Sequence, residues 1–233
     1  MKKLVIALTS VLVLSLFLTT TLAIPKEAAR EKPSEPLESI TFIHYKDGRV
    51  KVTGGSCTKL MGVKWGSLPV SYVISPANYN QEFVAEAISL AAEEWDSHTS
   101  KELFSNIYSI GNAEWGVADL KNVYTFGEYP DSSVIAVTRI WYTRRTKQIV
   151  DYDVLFNTWY NWFDCSKTSC TEENKGMDLQ SIALHETGHG IGLADVYSSA
   201  CSYVVMYGYS SYGEVKRELA LPDIAGLQRI YGA

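Results

Sequence analysis

After residue 23 the chain has no apolar run long enough to cross a bilayer, so no transmembrane helix is expected beyond that point. Basic charge is not in excess either: 21 Lys and Arg face 26 Asp and Glu, a net −5, which leaves no electrostatic footprint for nucleic acid. There is no low-complexity tract and no internal repeat. With 46% hydrophobic and 20% charged residues, wholesale disorder is not expected. Histidine is scarce, four in 233 residues, and so is cysteine, also four. That scarcity makes their positions informative.

Met1-Lys2-Lys3 is a short basic segment, residues 4–18 are apolar except for Thr9, Ser10 and Ser15, and small residues surround Ala23. This order reads as a secretory signal peptide over residues 1–23, the competing reading being an uncleaved membrane anchor. Cleavage removes Lys2 and Lys3 and leaves 19 basic against 26 acidic side chains, a net −7. Residues 24–39, rich in Pro, Glu and Lys, have linker composition, and residues 40–52 alternate like a small hairpin turned at Lys46-Asp47-Gly48. Segment 24–59 therefore reads as propeptide or linker, and 60–233 as one domain. Four cysteines in an exported chain suit two disulfides. Cys165 and Cys170 form the natural local pair, which leaves Cys57 for Cys201, although three connectivities remain open.

The coarse order along the domain is strand, helix, several strands, helix, loop, helix. Residues 70–74 read as a short strand. Val84, Ala87, Ile88, Ala91 and Trp95 form one apolar stripe on a helix over 81–97. Residues 134–142 and 149–156 are β-rich, with a polar hairpin connection between them. Asp178 suits the N-cap of a helix over 179–190, and Pro222 the first turn of a final helix ending at Tyr231. The mixture implies an α+β domain of roughly 170 residues.

His185-Glu186-Thr187-Gly188-His189 carries the chemistry. Histidines four apart on a helix project from one face and can meet a single metal ion. Glu186, one residue on, stands beside the metal and can act as general base toward a water whose pKa a zinc ion lowers to about 7. Two of only four histidines fall on this motif, which argues against two unrelated satisfied side chains. The motif continues to Gly192, where the helix must stop and the chain turn sharply. His44, in the propeptide segment, and His98, at the end of the first helix, are poor substitutes as ligands.

Residues 178–233 resemble a metzincin, and within that clan the matrixins (the matrix-metalloprotease type). The extended motif ends in Gly192-x-x-Asp195, Met206 sits at the place of the Met-turn, and the run from Leu221 to Gly232 is similar to the matrixin terminal helix. Weaker similarity extends upstream to residue 64. The resemblance implies a zincin-like fold: a twisted mixed sheet with an active-site helix, a Met-turn and a C-terminal helix. It also implies one catalytic Zn2+ held by His185, His189 and Asp195, protein or peptide substrates, and a monomer.

The sequence departs from the pattern in three ways. Asp195 stands where most metzincins have a third His; it is an acceptable zinc ligand, and its bland reading is a turn-forming loop residue. No Asp/Gly-rich calcium loop is apparent over 100–175, so calcium is not supported. The family's propeptide cysteine in its Pro-Arg-x-Gly context is missing. Cys57 accordingly has two readings, a latency thiolate at the fourth zinc position or the disulfide partner of Cys201. Met206 is the Met-turn or core filler, and Tyr207 and Tyr209 are oxyanion donors or aromatic packing. The implied function is a secreted zinc endopeptidase in which substrate pairs with an exposed edge strand at 134–138. The rivals are a secreted zinc-dependent binding or inhibitory module and a narrow-specificity amidase.

Overall fold

The computed structural model describes residues 32–47 and 54–233. The assignments to a signal peptide and to the start of the propeptide, and the proposed turn at Gly48, therefore lie outside the described residues. The elements run β1 (Leu37–Lys46), β2 (Lys64–Trp65), β3 (Tyr72–Ser75), α1 (Gln81–Asp96), β4 (Ser109–Ile110), β5 (Asn122–Gly127), β6 (Val134–Thr143) and β7 (Gln148–Asn157). They continue with β8 (Asn161–Phe163), β9 (Gly176–Asp178), α2 (Leu179–Gly190), β10 (Tyr209–Ser210) and α3 (Leu221–Tyr231), with a 3₁₀ turn at Ser199–Cys201.

One mixed sheet in the order β10-β1-β6-β7-β5-β3-β4 forms the scaffold, with β2 alongside β7. The β6–β7 pair is the expected antiparallel hairpin, whereas β5 joins β7 and β3 in parallel. α1 turns its stripe of Val84, Ala87, Ile88, Ala91 and Trp95 into the core. There the Trp95 indole N–H donates to Leu184 O of α2 at 2.9 Å in buried surroundings. Asn80 caps α1 by accepting the Phe83 N–H.

α2 has no solvent face to speak of: 11 of its 12 residues are buried. A helix covered all round carries no amphipathic signal, and its placement rests on specific polar ties. Asp178 caps it by accepting the Ser181 N–H, and Arg217 holds that carboxylate through Nε at 2.9 Å while also pairing with Asp164. On the sheet side the Tyr124 hydroxyl bonds to both the Tyr152 hydroxyl and the Thr187 Oγ1 of α2, at 2.9 and 2.8 Å. Disulfides join Cys57 to Cys201 and Cys165 to Cys170, so Cys57 is not a free latency thiol.

β1 is a single long strand paired antiparallel with β6 over residues 37–45 and parallel with β10 at its end, while the second half of the hairpin expected over 40–52 lies outside the described residues. Because of the β1–β6 pairing, the expectation that residues 134–138 form an exposed edge is overturned. Alternation of side chains predicts a strand but does not name its partner.

Asp153 of β7 is fully buried and accepts the N–H groups of Gly116 and Val117, while Asp151 accepts that of Leu120. Burial first, and Asp151 next, push the Asp153 carboxyl up to about 8 against those donors. A folded-state pKa raised above the unfolded 3.8 means that stability is fully present below about pH 4 and falls as pH rises toward 8. Asp153→Asn should remove that loss: between pH 5 and pH 8, urea unfolding of the wild type should weaken by of order 2 kcal/mol more than that of the variant.

Candidate metal centre

One turn of α2 brings the Nε2 atoms of His185 and His189 to 3.1 Å from each other. Each ring is oriented by its other nitrogen: His185 Nδ1–H donates to Val205 O and His189 Nδ1–H to Leu193 O, both at 2.8 Å. These bonds leave the Nε2 lone pairs facing inward.

At the end of α2, Gly192 adopts a φ of +109°, and a Cβ there would meet Val63 O at 2.5 Å. No other residue fits that turn. Past it the chain folds back, with Ala194 N–H bonded to Lys59 O and Val196 N–H to Met206 O. Asp195 Oδ1 thereby arrives 3.2 Å from His185 Nε2 and 3.4 Å from His189 Nε2. The Tyr197 hydroxyl donates to the other oxygen, Oδ2, at 2.9 Å, and Oδ1 has no hydrogen-bond partner.

Three buried Lewis bases at 3.1 to 3.4 Å are mutually repulsive unless a cation lies between them. Tetrahedral zinc with bonds of about 2.0–2.1 Å requires ligand atoms about 3.3 Å apart. The donor set and its spacing therefore fit zinc. Burial pushes the Asp195 carboxyl upward, but His189 and His185 outweigh it and hold the group well below the usual range.

Glu186 is fully buried beside this triad, and Thr138 of β6 donates to its Oε2. Burial alone would raise its pKa; the hydrogen-bonding contact with His44 and the neighbouring His185 and His189 bring it below the ordinary value. Its second oxygen, Oε1, stands 3.5 Å from His44 Nδ1.

Met206 lies directly against α2. A Cβ on Gly188 would fall 2.3 Å from its Sδ, so the small residue inside the motif admits the methionine. Asp223 in the first turn of α3 accepts the N–H groups of Val205 and Met206 at 2.9 and 3.2 Å. The terminal helix thus braces the loop whose carbonyl orients His185. Tyr207, in contrast, packs on Tyr209 and under the Lys216 ammonium.

Sequence reasoning passed over Thr138, Tyr197 and Asp223, and set His44 aside; the Tyr spaced two residues from Asp195 was the one local signal. Tyr197→Phe frees Asp195 Oδ2 and should weaken zinc binding about 10- to 100-fold in competition with a chromophoric chelator. Thr138→Val, which removes only a hydroxyl bonded to Glu186, should leave that affinity within about 3-fold.

The sequence model of the matrixins, a peptidase family, matches residues 64–232. Among similar proteins, Metalloendoproteinase 5-MMP of Arabidopsis thaliana is 43% identical over 56 residues, which are 24% of this chain and 15% of that protein. Matrix metalloproteinase-2 of Drosophila melanogaster is 25% identical over 175 residues, 74% of this chain and 22% of that protein. Stromelysin-1 of Mus musculus is 26% identical over 202 residues, 83% of this chain and 38% of that protein. The chain spans well under half the length of each of these relatives. With the family match running from β2 to the end of α3, and the motif helix, Gly192 turn and Met206 loop all inside it, the chain belongs to the matrixin family.

Proposed function

We propose that this chain is a secreted zinc-dependent endopeptidase in which His185, His189 and Asp195 hold the metal and Glu186 is the general base. The observation that carries the reading is the convergence of three inward-facing donors with the buried Glu186 carboxylate beside them. A zinc ion held there supplies Lewis acidity, acidifying water and polarising a peptide carbonyl.

The protein's own residues do the rest. Thr138 fixes one oxygen of Glu186 and leaves Oε1 to take a proton from the attacking water and deliver it to the leaving amine. Tyr197 ties down one oxygen of Asp195 and so directs the other at the metal position. β6 runs past the site paired with β1 on one side and β7 on the other, so an extended peptide would pair with β6 only in place of β1. Its neighbouring wall is β10, carrying Tyr209 and Ser210.

For the ends of the chain we infer a signal peptide over 1–23, a propeptide or linker over 24–59 and a catalytic domain over 60–233. Two disulfides accord with an oxidising, extracellular setting. Among the described residues no helix is long and apolar enough to cross a membrane.

Glu186→Gln keeps the shape of the side chain and removes the base. Hydrolysis of a quenched fluorescent peptide library should fall about 10²- to 10⁴-fold while zinc content and melting temperature stay at wild-type values. Undiminished, chelator-sensitive hydrolysis by that variant would refute the assignment.

A further inference from the structure

Two of the bonds that hold α2 in place act on its main chain. Trp95 of α1 donates its indole N–H to Leu184 O at 2.9 Å, and Trp65 of β2 donates to Gly190 O at 2.8 Å. Main-chain oxygens lie close to the helix axis, so these bonds fix where the helix sits and resist its rotation weakly. A third bond acts on a side chain farther from the axis. Thr187, between Glu186 and Gly188, meets the Tyr124 hydroxyl through Oγ1 at 2.8 Å, and Tyr124 meets the Tyr152 hydroxyl at 2.9 Å. All three side chains are fully buried. Three hydroxyl protons serve two links, so each link has a donor whichever way the chain of bonds runs.

Successive residues of a helix advance by about 100°, which puts Thr187 about 200° around from His185 and about 160° back from His189. Tyr124 therefore holds α2 from the side opposite the metal-facing imidazoles. Apolar burial alone does not choose the rotation of this helix, because it is covered on every face. Rotation matters all the same. A ligand atom about 6 Å from the axis moves about 1 Å in a roll of about 10°, and catalytic groups need their geometry held within about 0.5 Å.

Tyr124 is a rigid point from which to set that angle. It lies within β5, paired on one side with β3 and on the other with β7. Its ring is edge-on to Tyr72 and Tyr152, with centroids 5.5 and 5.8 Å away, and stacked on Phe156 at 6.5 Å. The Tyr152 ring in turn packs against the end of α2, where a Cβ on Gly190 would fall 3.1 Å from it.

We propose that Thr187 and Tyr124 are positioning residues of the metal centre, whose bond sets the roll of α2 and with it the points at which His185, His189 and Glu186 present their functional atoms. The expected effect on turnover rests on the endopeptidase reading, whereas the effect on metal binding follows from the donor geometry.

The test compares the full-length chain with Thr187→Val, Tyr124→Phe, Thr187→Ser and Tyr152→Phe. Each is prepared with zinc and, separately, with Co2+, so that a form stable only when loaded is still measured. The readouts are zinc affinity by chelator competition, the visible absorption of the Co2+ form, and kcat and KM on a quenched fluorescent peptide. Thr187→Val and Tyr124→Phe break the same bond from its two ends. Both should weaken zinc binding about 10-fold, shift the Co2+ bands and lower kcat about 10-fold, with KM within about 2-fold of wild type. Thr187→Ser keeps the hydroxyl and should return all three readouts close to wild type. Tyr152→Phe loses a buried hydrogen bond of the same chain but leaves the Thr187–Tyr124 link. Its melting temperature should fall while zinc affinity stays within about 3-fold and the Co2+ spectrum is unchanged. Lower melting temperatures for Thr187→Val and Tyr124→Phe with unaltered zinc affinity and Co2+ spectrum would overturn the proposal and leave the bond a core contact. So would a Tyr152→Phe form whose metal readouts move as far as those of Thr187→Val. If the metal readouts move as expected but no form shows chelator-sensitive hydrolysis, the positioning role stands and the endopeptidase reading falls.

Discussion

Holding three electron-rich ligand atoms within 3.4 Å of one another in a buried site is the constraint on which the rest of the structure depends. Left without orientation or counter-charge, such a group would be costly to bury. Each ligand is therefore locked from behind. Val205 O and Leu193 O orient the two imidazoles, and the Tyr197 hydroxyl orients Asp195. These supports are supplied by the two loops after α2, and those loops are in turn laddered to each other through Val196 and Met206.

The supports have supports of their own. Asp223 in α3 grips the Met206 loop by its main-chain N–H groups, and the Cys57–Cys201 bridge fastens the segment just before that loop. On the other side Trp95, Tyr124 and Tyr152 tie α2 to α1 and the sheet. Side chains distant in sequence thus converge on one helix, and the Glu186 carboxylate inherits its orientation from β6 through Thr138.

The helices were legible because their signals are local. Asp178 and Asn80 cap helices at the positions where short polar side chains precede apolar runs, and α2 begins and ends where its cap and its Gly-rich end place it. The β6–β7 hairpin followed from two β-rich runs around a polar turn. β1 was legible as a strand, but its partner β6 lies far along the chain and no local signal names it.

By itself, the sequence determined the spacing of His185, Glu186 and His189 on one helix, the sharp turn at Gly192 and the matrixin character of the last third, because helical periodicity and glycine conformations are properties of neighbouring residues. Only the tertiary structure decided that Asp195 completes the triad with Tyr197 behind it, that Thr138 aims Glu186, that Cys57 pairs with Cys201, and that β1 brings Phe42 and His44 over the site. Those are contacts between residues far apart in the chain. No local rule selects them; they follow from the packing of the sheet, α2 and the loops around one buried point.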